Sequence, residues 1–164
     1  QECYEVPVGF KYVSAKMVET DAIIGGESSG GLAVKGHIAG KDGIYAASLL
    51  VETLAVTGKS IGELYREIIQ KYGMLYYEES SLKITHERKQ ELYQLIFQSH
   101  QIPCFTESIK CIDWTDGCKV SFEDGSWVIC RFSGTEPLLR IAAEGNTLHQ
   151  ARNYLQKWEA YLKQ

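Results

Sequence analysis

The second half of the chain consists of short segments of strand character separated by turns, and this pattern restricts the fold more than any other feature. Alternating apolar and polar residues predict four strands, near 109–114, 118–122, 126–131 and 138–143. Asp124-Gly125 between two of them is typical of a hairpin turn. Together with a strand at 81–85 and a helix after it, this order predicts an α+β domain with a mostly antiparallel sheet and flanking helices.

The first half of the chain has helical rather than strand periodicity. A short apolar strand at Ala22–Gly25 leads into a glycine-rich loop, and Asp42 opens a helix. A second helix begins at Ser60, where Ser-Ile-Gly-Glu has the form of a capping box, and it ends at Gly73. These elements predict an α/β/α layer, present here as a partial α/β domain.

The change of pattern divides the chain into a first domain at 1–73, a hinge at 74–80 and a second domain at 81–164. The second domain is predicted to end in a helix that starts at Thr147. Its apolar face is expected to be buried, with side chains at helical spacing: Leu148, Ala151, Tyr154, Leu155, Trp158 and Leu162.

Composition excludes several classes of protein. The 164 residues are 45% hydrophobic and 23% charged with a net charge of −4, which disfavours a nucleic-acid partner because such proteins present a basic face. No apolar run approaches the roughly 20 residues that cross a bilayer, and no signal peptide is recognisable, so we expect a cytoplasmic protein without a membrane partner. The five cysteines are odd in number and lack zinc-like spacing, which predicts reduced thiols and no metal site.

The run from Arg131 to Arg140 reads Arg-Phe-Ser-Gly-Thr-Glu-Pro-Leu-Leu-Arg and lies between two predicted strands. Arginine presents a fork of donors that matches phosphate oxygens. Ser133 and Thr135 add hydroxyl groups, and Gly134 permits close approach of the backbone. The run therefore has the chemistry of a phosphate cradle, although a strand-to-strand turn with two surface arginines is the simpler interpretation of a shorter string.

The complete run closely resembles the phosphate-binding loop in the last domain of the α-D-phosphohexomutases, the family of phosphoglucomutase and phosphomannomutase. The segment Gly25-Gly-Glu-Ser-Ser-Gly-Gly31 resembles the sugar-binding loop of the third domain of this family. Two segments around that loop, Val8–Val13 and His37–Tyr45, resemble the family as well, and all of them occur in the family's order. The resemblance thus covers nearly the whole chain but only the C-terminal half of a phosphohexomutase.

The resemblance implies roles for particular residues. Glu27 and Ser29 would contact sugar hydroxyls, and Lys41 would approach the substrate. The expected phosphate-binding residues are Arg131, Ser133, Gly134, Thr135 and Arg140. For Arg140 the residues leave a second role open, which is to support the loop by pairing with Glu136 or Glu144.

The implied reaction interconverts hexose 1-phosphate and hexose 6-phosphate through a phosphoserine and a bisphosphorylated sugar, with Mg²⁺ and glucose 1,6-bisphosphate as cofactors of the full-length enzyme. Neither the phosphoserine loop nor the metal loop of the family is found in these residues. We therefore expect a fragment without catalytic residues, inactive alone, whose partners are a hexose phosphate and the missing N-terminal domains. A stand-alone sugar-phosphate binding or regulatory module is the other interpretation, and the start at Gln1 without an initiator Met favours the fragment.

The sugar-binding loop bears on which sugar is bound. Glu27-Ser-Ser-Gly-Gly31 is more like the phosphoglucomutase version than the Glu-Gln-Ser-Gly-His of phosphoglucosamine mutases. The sequence thus favours glucose phosphate as substrate and leaves mannose phosphate open.

Overall fold

A computed structural model describes residues 2–163 of the chain. Its contacts form two compact units, the first ending at Tyr72 and the second beginning at Gly73. The helices are α1 Phe10–Thr20, α2 Gly43–Thr57, α3 Ile61–Tyr72, α4 His86–Leu92 and α5 Leu148–Leu162. The strands are β1 Ile24–Gly26, β2 Leu32–Val34, β3 Tyr76–Lys83, β4 Ile109–Asp113, β5 Cys118–Phe122, β6 Trp127–Phe132 and β7 Leu138–Gly145.

In the first unit, helix α1 packs directly on the hairpin formed by antiparallel strands β1 and β2. The approach is close because Gly25 has no side chain: an added Cβ would lie 2.6 Å from Val13 Cγ1 and 2.6 Å from Met17 Sδ. Only glycine therefore permits this packing without displacement of the helix. Helix α1, which we did not predict from the segment Val8–Val13, thereby fixes the base of the glycine-rich loop.

The N-termini of α2 and α3 are capped by side chains that the sequence indicated. Asp42 Oδ1 accepts hydrogen bonds from the backbone N–H groups of Ile44 and Tyr45, each at 3.0 Å. At α3 the capping box is complete, since Ser60 N donates to Glu63 Oε2 at 2.8 Å and Glu63 N donates to Ser60 Oγ at 3.3 Å. Both helices therefore begin where the sequence predicts.

None of the apolar residues of α2 and α3 is fully buried within the described part of the chain. Ile44 is 84% exposed and Val56 is 79% exposed, although each lies at a helical spacing of apolar residues. No single helix in the described range is long and apolar enough to cross a membrane; α2 and α3 meet a length and composition test only as a pair, and that pair is bent by 84°.

The second unit contains a five-stranded sheet with the order β3-β7-β6-β5-β4. Every pairing in it is antiparallel, which confirms the predicted sheet. One face packs on α5, whose Tyr154 and Trp158 are fully buried in a cluster with Cys130 and Ile141. Because successive side chains of a strand point to opposite faces, Ile129 and Arg131 of β6 lie on the other face.

The structure differs from the sequence predictions in this unit at three places. Strand β3 begins at Tyr76 rather than Ser81, because residues 76–83 pair in one unbroken ladder with β7, so most of the predicted hinge lies within a strand. Helix α4 continues as a π-helical turn, Tyr93–Gln98. Leu148 is 37% exposed rather than buried, because the first turn of α5 extends beyond the edge of the core, whereas the other five residues of its apolar face are buried.

Candidate functional site

The loop between β6 and β7 is braced by its own hydrogen bonds. Ser133 N donates to Leu138 O at 2.9 Å, and Ile84 N donates to Pro137 O at 3.1 Å, which ties the loop to the end of β3. Ser133 is 6% exposed, and its Oγ accepts from Thr135 N at 3.5 Å and from Glu136 N at 3.3 Å. These two backbone N–H groups are used inside the loop. The arginines, the exposed Thr135 and the O–H of Ser133, whose oxygen only accepts in these two bonds, are left for ligand contacts.

Arg131 and Arg140 stand directly opposite each other across the β6–β7 pair. Side chains in such a pair lie about 4.5–5.5 Å apart at Cβ, and like charges there repel. Arg140 has a partner, since its Nη2 lies 2.6 Å from Glu136 Oε2, as the second interpretation of Arg140 expected. Within residues 2–163 no carboxylate forms an ion pair with Arg131, so the strand ends carry an excess positive charge.

The field of Arg131 reaches a tyrosine on the same face of the sheet. Burial, and a hydrogen bond from Tyr77 to Glu79, raise the pKa of Tyr77 to about 12, while the positive charge of Arg131 acts in the opposite direction. This face therefore combines a guanidinium without a carboxylate partner and a hydroxyl that stays protonated at neutral pH.

A cavity of about 290 Å³ borders the loop on the side of helix α4. Its lining includes residues 133–137 together with Thr85, His86 and Lys89. The Lys89 ammonium group lies 5.4 Å from the centroid of the Phe132 ring, at the base of the loop. An added Cβ at Gly134 would meet nothing within 4 Å, so a ligand also has room on that residue. No motif marks His86 or Lys89, because only the packing of α4 brings them to the loop.

Gly117, in the turn before β5, is a further residue that the sequence did not single out. Its φ of +104° is unfavourable for other residues, and an added Cβ would lie 2.6 Å from both Arg131 Cβ and Cys130 O. The turn therefore rests against the backbone that carries Arg131. A Thr-Asp-Gly turn was visible in the sequence, but its contact with β6 was not.

In the first unit, the glycine-rich loop is the turn of the β1–β2 hairpin. Glu27 N donates to Gly31 O and Gly30 N donates to Glu27 O, both at 2.9 Å. Lys41 Nζ lies 2.9 Å from Glu27 Oε2 and 5.3 Å from the centroid of the Phe10 ring. Ser29 is exposed at the tip of the turn. The structure thus brings Glu27 and Lys41 together, as side chains that meet one ligand require, and leaves Ser29 open to solvent.

His37 stacks on Tyr45 with ring centroids 4.0 Å apart, and its Nε2 lies 2.8 Å from Asp42 Oδ2. The hydrogen bond with His37 and those from the backbone N–H groups of Tyr45 and Ile44 lower the pKa of Asp42. Both carboxylate oxygens of Asp42 therefore have hydrogen-bond partners, which hold in place the residue that directly follows Lys41.

We predict a pH dependence from this depressed pKa. A carboxyl group whose pKa is lowered by folding stabilises the folded state above its ordinary pKa of about 3.9, and this contribution is lost as the pH falls through the lowered value. Asp42→Ala should therefore reduce the stability of the first unit at neutral pH and have a smaller effect in strong acid. Urea unfolding of both proteins, followed by the circular dichroism of the helices at neutral pH and in acid, measures the change in the free energy of unfolding. An equal loss of stability under the two conditions would contradict the prediction.

Two of the cysteines lie opposite each other in the core of the second unit. Cys118 pairs with Cys130 across β5 and β6, and both are fully buried free thiols. Burial raises the pKa of Cys118 to about 12 and also raises that of Cys130, so neither is a reactive thiolate. Among residues 2–163, no three His, Cys, Asp or Glu side chains form a group that could hold a metal ion.

Comparisons with known proteins agree with this architecture. The family model "Phosphoglucomutase/phosphomannomutase, alpha/beta/alpha domain III" matches residues 1–72, and the model "Phosphoglucomutase/phosphomannomutase, C-terminal domain" matches residues 96–159. A phosphoglucomutase/phosphomannomutase from Thermococcus kodakarensis is 34% identical over 149 residues, which cover 91% of this chain and 30% of that protein. A phosphoglucosamine mutase from Halorhodospira halophila is 30% identical over 153 residues, which cover 93% of this chain and 29% of that protein.

A solved structure from Thermus thermophilus, described provisionally as a phosphomannomutase, superposes with a TM-score of 0.71 at 28% identity. The match covers 97% of this chain and 31% of the other chain. The chain therefore spans about a third of the length of the proteins it matches.

Proposed function

Because the chain belongs to the phosphoglucomutase/phosphomannomutase family and carries its third and C-terminal domains, we propose that it is the substrate-binding portion of a hexose phosphate mutase. The complete enzyme would interconvert hexose 1-phosphate and hexose 6-phosphate through a phosphoserine and a bisphosphorylated sugar. This chain would contribute binding and orientation, and the nucleophile would come from a part of the polypeptide outside it.

The observation that carries the proposal is the like-charge pair at the ends of β6 and β7. Arg131 faces Arg140, and among residues 2–163 only Arg140 of the two has an ion-pair partner, which is Glu136. A bound phosphate would relieve this repulsion and supply oxygens for the fork of Arg131. Ser133 would keep the turn in shape and donate its O–H to the phosphate, while Gly134 and Thr135 would be the other parts of the loop that approach the ligand.

For the sugar, we propose that Glu27 accepts hydrogen bonds from neighbouring hydroxyls and that Ser29 donates to them. Lys41, paired with the Glu27 carboxylate, would also approach the substrate. Glucose phosphate is the preferred substrate in this proposal and mannose phosphate the second. The two domains would change their relative orientation during the cycle about residues 74–75, the part of the predicted hinge that precedes β3, because residues 76–80 are paired with β7.

We also propose that Mg²⁺ and glucose 1,6-bisphosphate serve the whole enzyme, which we place in the cytoplasm. The described residues do not fit a magnesium site, since no group of three suitable side chains is formed among them. No step is therefore assigned to a metal in this chain, and we expect the isolated chain to be inactive as a mutase.

Calorimetric titration of the chain with glucose 1-phosphate, with inorganic phosphate as the comparison, tests the proposal. Tighter binding of the sugar phosphate supports both loops as binding elements. Equal affinities would remove the sugar-binding role from this chain, and lack of binding of either ligand would remove the phosphate-binding role as well.

A further inference from the structure

Gly31, the last residue of the β1–β2 turn, leaves a space that another side chain fills. A Cβ added to Gly31 would lie 2.4 Å from Lys41 Cδ, 3.1 Å from Lys41 Cγ and 3.2 Å from Glu27 Oε2. The aliphatic stem of Lys41 therefore rests directly on the backbone of Gly31. The space that Gly31 leaves open adjoins both members of the Lys41–Glu27 ion pair.

The backbone does not require glycine at this position. The left-handed conformation in this turn is at Gly30, with a φ of +91°, whereas Gly31 has no φ in that region. Gly31 instead provides its carbonyl oxygen to Glu27 N, which any residue could do. The structural reason for glycine at position 31 is therefore space, and the space is used by Lys41.

The side chains in this contact differ in exposure. The Glu27 side chain is 19% exposed and that of Lys41 is 51% exposed, so the lysine reaches a half-enclosed carboxylate from the solvent side. The ring of Phe10 lies 5.3 Å from the ammonium group and limits its position on another side. With Asp42 held as the cap of α2, the backbone of Lys41 is fixed, so a side chain at position 31 would have to displace the lysine stem.

We propose that Gly31 is a positioning residue of the sugar-binding loop: by having no side chain, it places Lys41 against Glu27 and so sets how Glu27 is presented to sugar hydroxyls. This inference rests on the proposed function of the loop. In this inference Gly31 does not contact the substrate and acts only through the position of Lys41.

The test compares four forms of the chain, the unsubstituted protein, Gly31→Ala, Lys41→Ala and the double variant, by titration with glucose 1-phosphate and with inorganic phosphate. Gly31→Ala should lower the affinity for glucose 1-phosphate about three- to tenfold, the effect of misplacing one charge-assisted contact, and leave the affinity for inorganic phosphate unchanged. In the Lys41→Ala background the same substitution should have little further effect, because the two residues act as one unit.

Gly40→Ala is the matched control, since an added Cβ there meets nothing within 4 Å and Gly40 directly precedes Lys41. It should leave both affinities unchanged. The melting temperature of Gly31→Ala should also stay close to that of the unsubstituted chain, because an ion pair whose lysine reaches it from the solvent side contributes little to stability. A purely structural role for Gly31 would instead lower the melting temperature and both affinities together.

The outcomes separate this inference from the proposed function. If Gly31→Ala weakens binding equally with and without Lys41, Gly31 does not act through Lys41 and the inference is wrong while the loop assignment stands. If Lys41→Ala leaves the preference for glucose 1-phosphate unchanged, or the unsubstituted chain has no such preference, the proposed sugar-binding role fails first and the inference fails with it.

Discussion

Replacing Arg131 by alanine is expected to lower the affinity of the chain for inorganic phosphate at least about tenfold. Hydrogen bonds to charged groups contribute roughly 1.5–3 kcal/mol each, and the substitution removes a guanidinium that has no carboxylate partner among the described residues. Phosphate is the ligand to use, because it isolates this loop from any contribution of the hairpin proposed to bind the sugar.

The same substitution should not destabilise the fold. Arg131 stands opposite Arg140, so its removal relieves a like-charge contact, and alanine retains the Cβ that faces Gly117. Loss of phosphate affinity with an unchanged or slightly raised melting temperature is the signature of a binding residue. Arg152→Ala is the matched control, because Arg152 pairs with Glu78 at 3.2 Å on the opposite face of the sheet. Equal phosphate affinity in the two variants would show that the loop assignment is wrong.

Gly117→Ala should produce the largest loss of stability among these substitutions in the second unit. An alanine in a left-handed conformation costs roughly 1–2 kcal/mol, and the 2.6 Å approach of its Cβ to Arg131 Cβ and Cys130 O adds an overpacking cost of about 1–3 kcal/mol. The atoms in the way belong to the backbone and its first side-chain carbon, which cannot rotate aside. We therefore expect a total of about 2–5 kcal/mol.

Gly125→Ala separates the two contributions. Gly125 also has a positive φ, +86°, and lies in the neighbouring hairpin turn, but its added Cβ would meet nothing within 4 Å. Gly125→Ala should therefore lower the free energy of unfolding only by the conformational cost of a left-handed alanine, roughly 1–2 kcal/mol. The free energy of unfolding can be followed by tryptophan fluorescence, since all three tryptophans, Trp114, Trp127 and Trp158, lie in the second unit. Equal losses in the two variants would contradict the contact between Gly117 and β6.

The elements that the sequence predicted well are those with local signals. Helix α5 begins after Thr147, whose side chain accepts a hydrogen bond from Gln150 N as an N-cap should. The hairpin at Asp124-Gly125 closes with Gly125 N donating to Phe122 O at 3.1 Å. In both cases the residues that determine the structure are within a few positions of one another, so no knowledge of the tertiary fold is needed.

The missed elements lack such signals. Helix α1 follows Gly9 without a side-chain cap and has no acidic residue in its first turn, so no local signal marks its start, and its packing on Gly25 supports it there. The start of β3 contains adjacent Glu78 and Glu79, which are typical of a solvated segment. Its pairing with β7, which is remote in sequence, supplies the backbone hydrogen bonds that make it a strand.

The sequence by itself determined which chemical groups the two loops carry, because the motifs are contiguous and their residue types are suited to phosphate and to sugar hydroxyls. It did not determine which of these groups face one another. That Arg131 stands opposite Arg140, that Gly117 abuts β6, and that Lys41 reaches Glu27 across Gly31 are results of strand register and of close packing. Register and packing depend on burial of the whole core, so only the tertiary structure could decide these contacts.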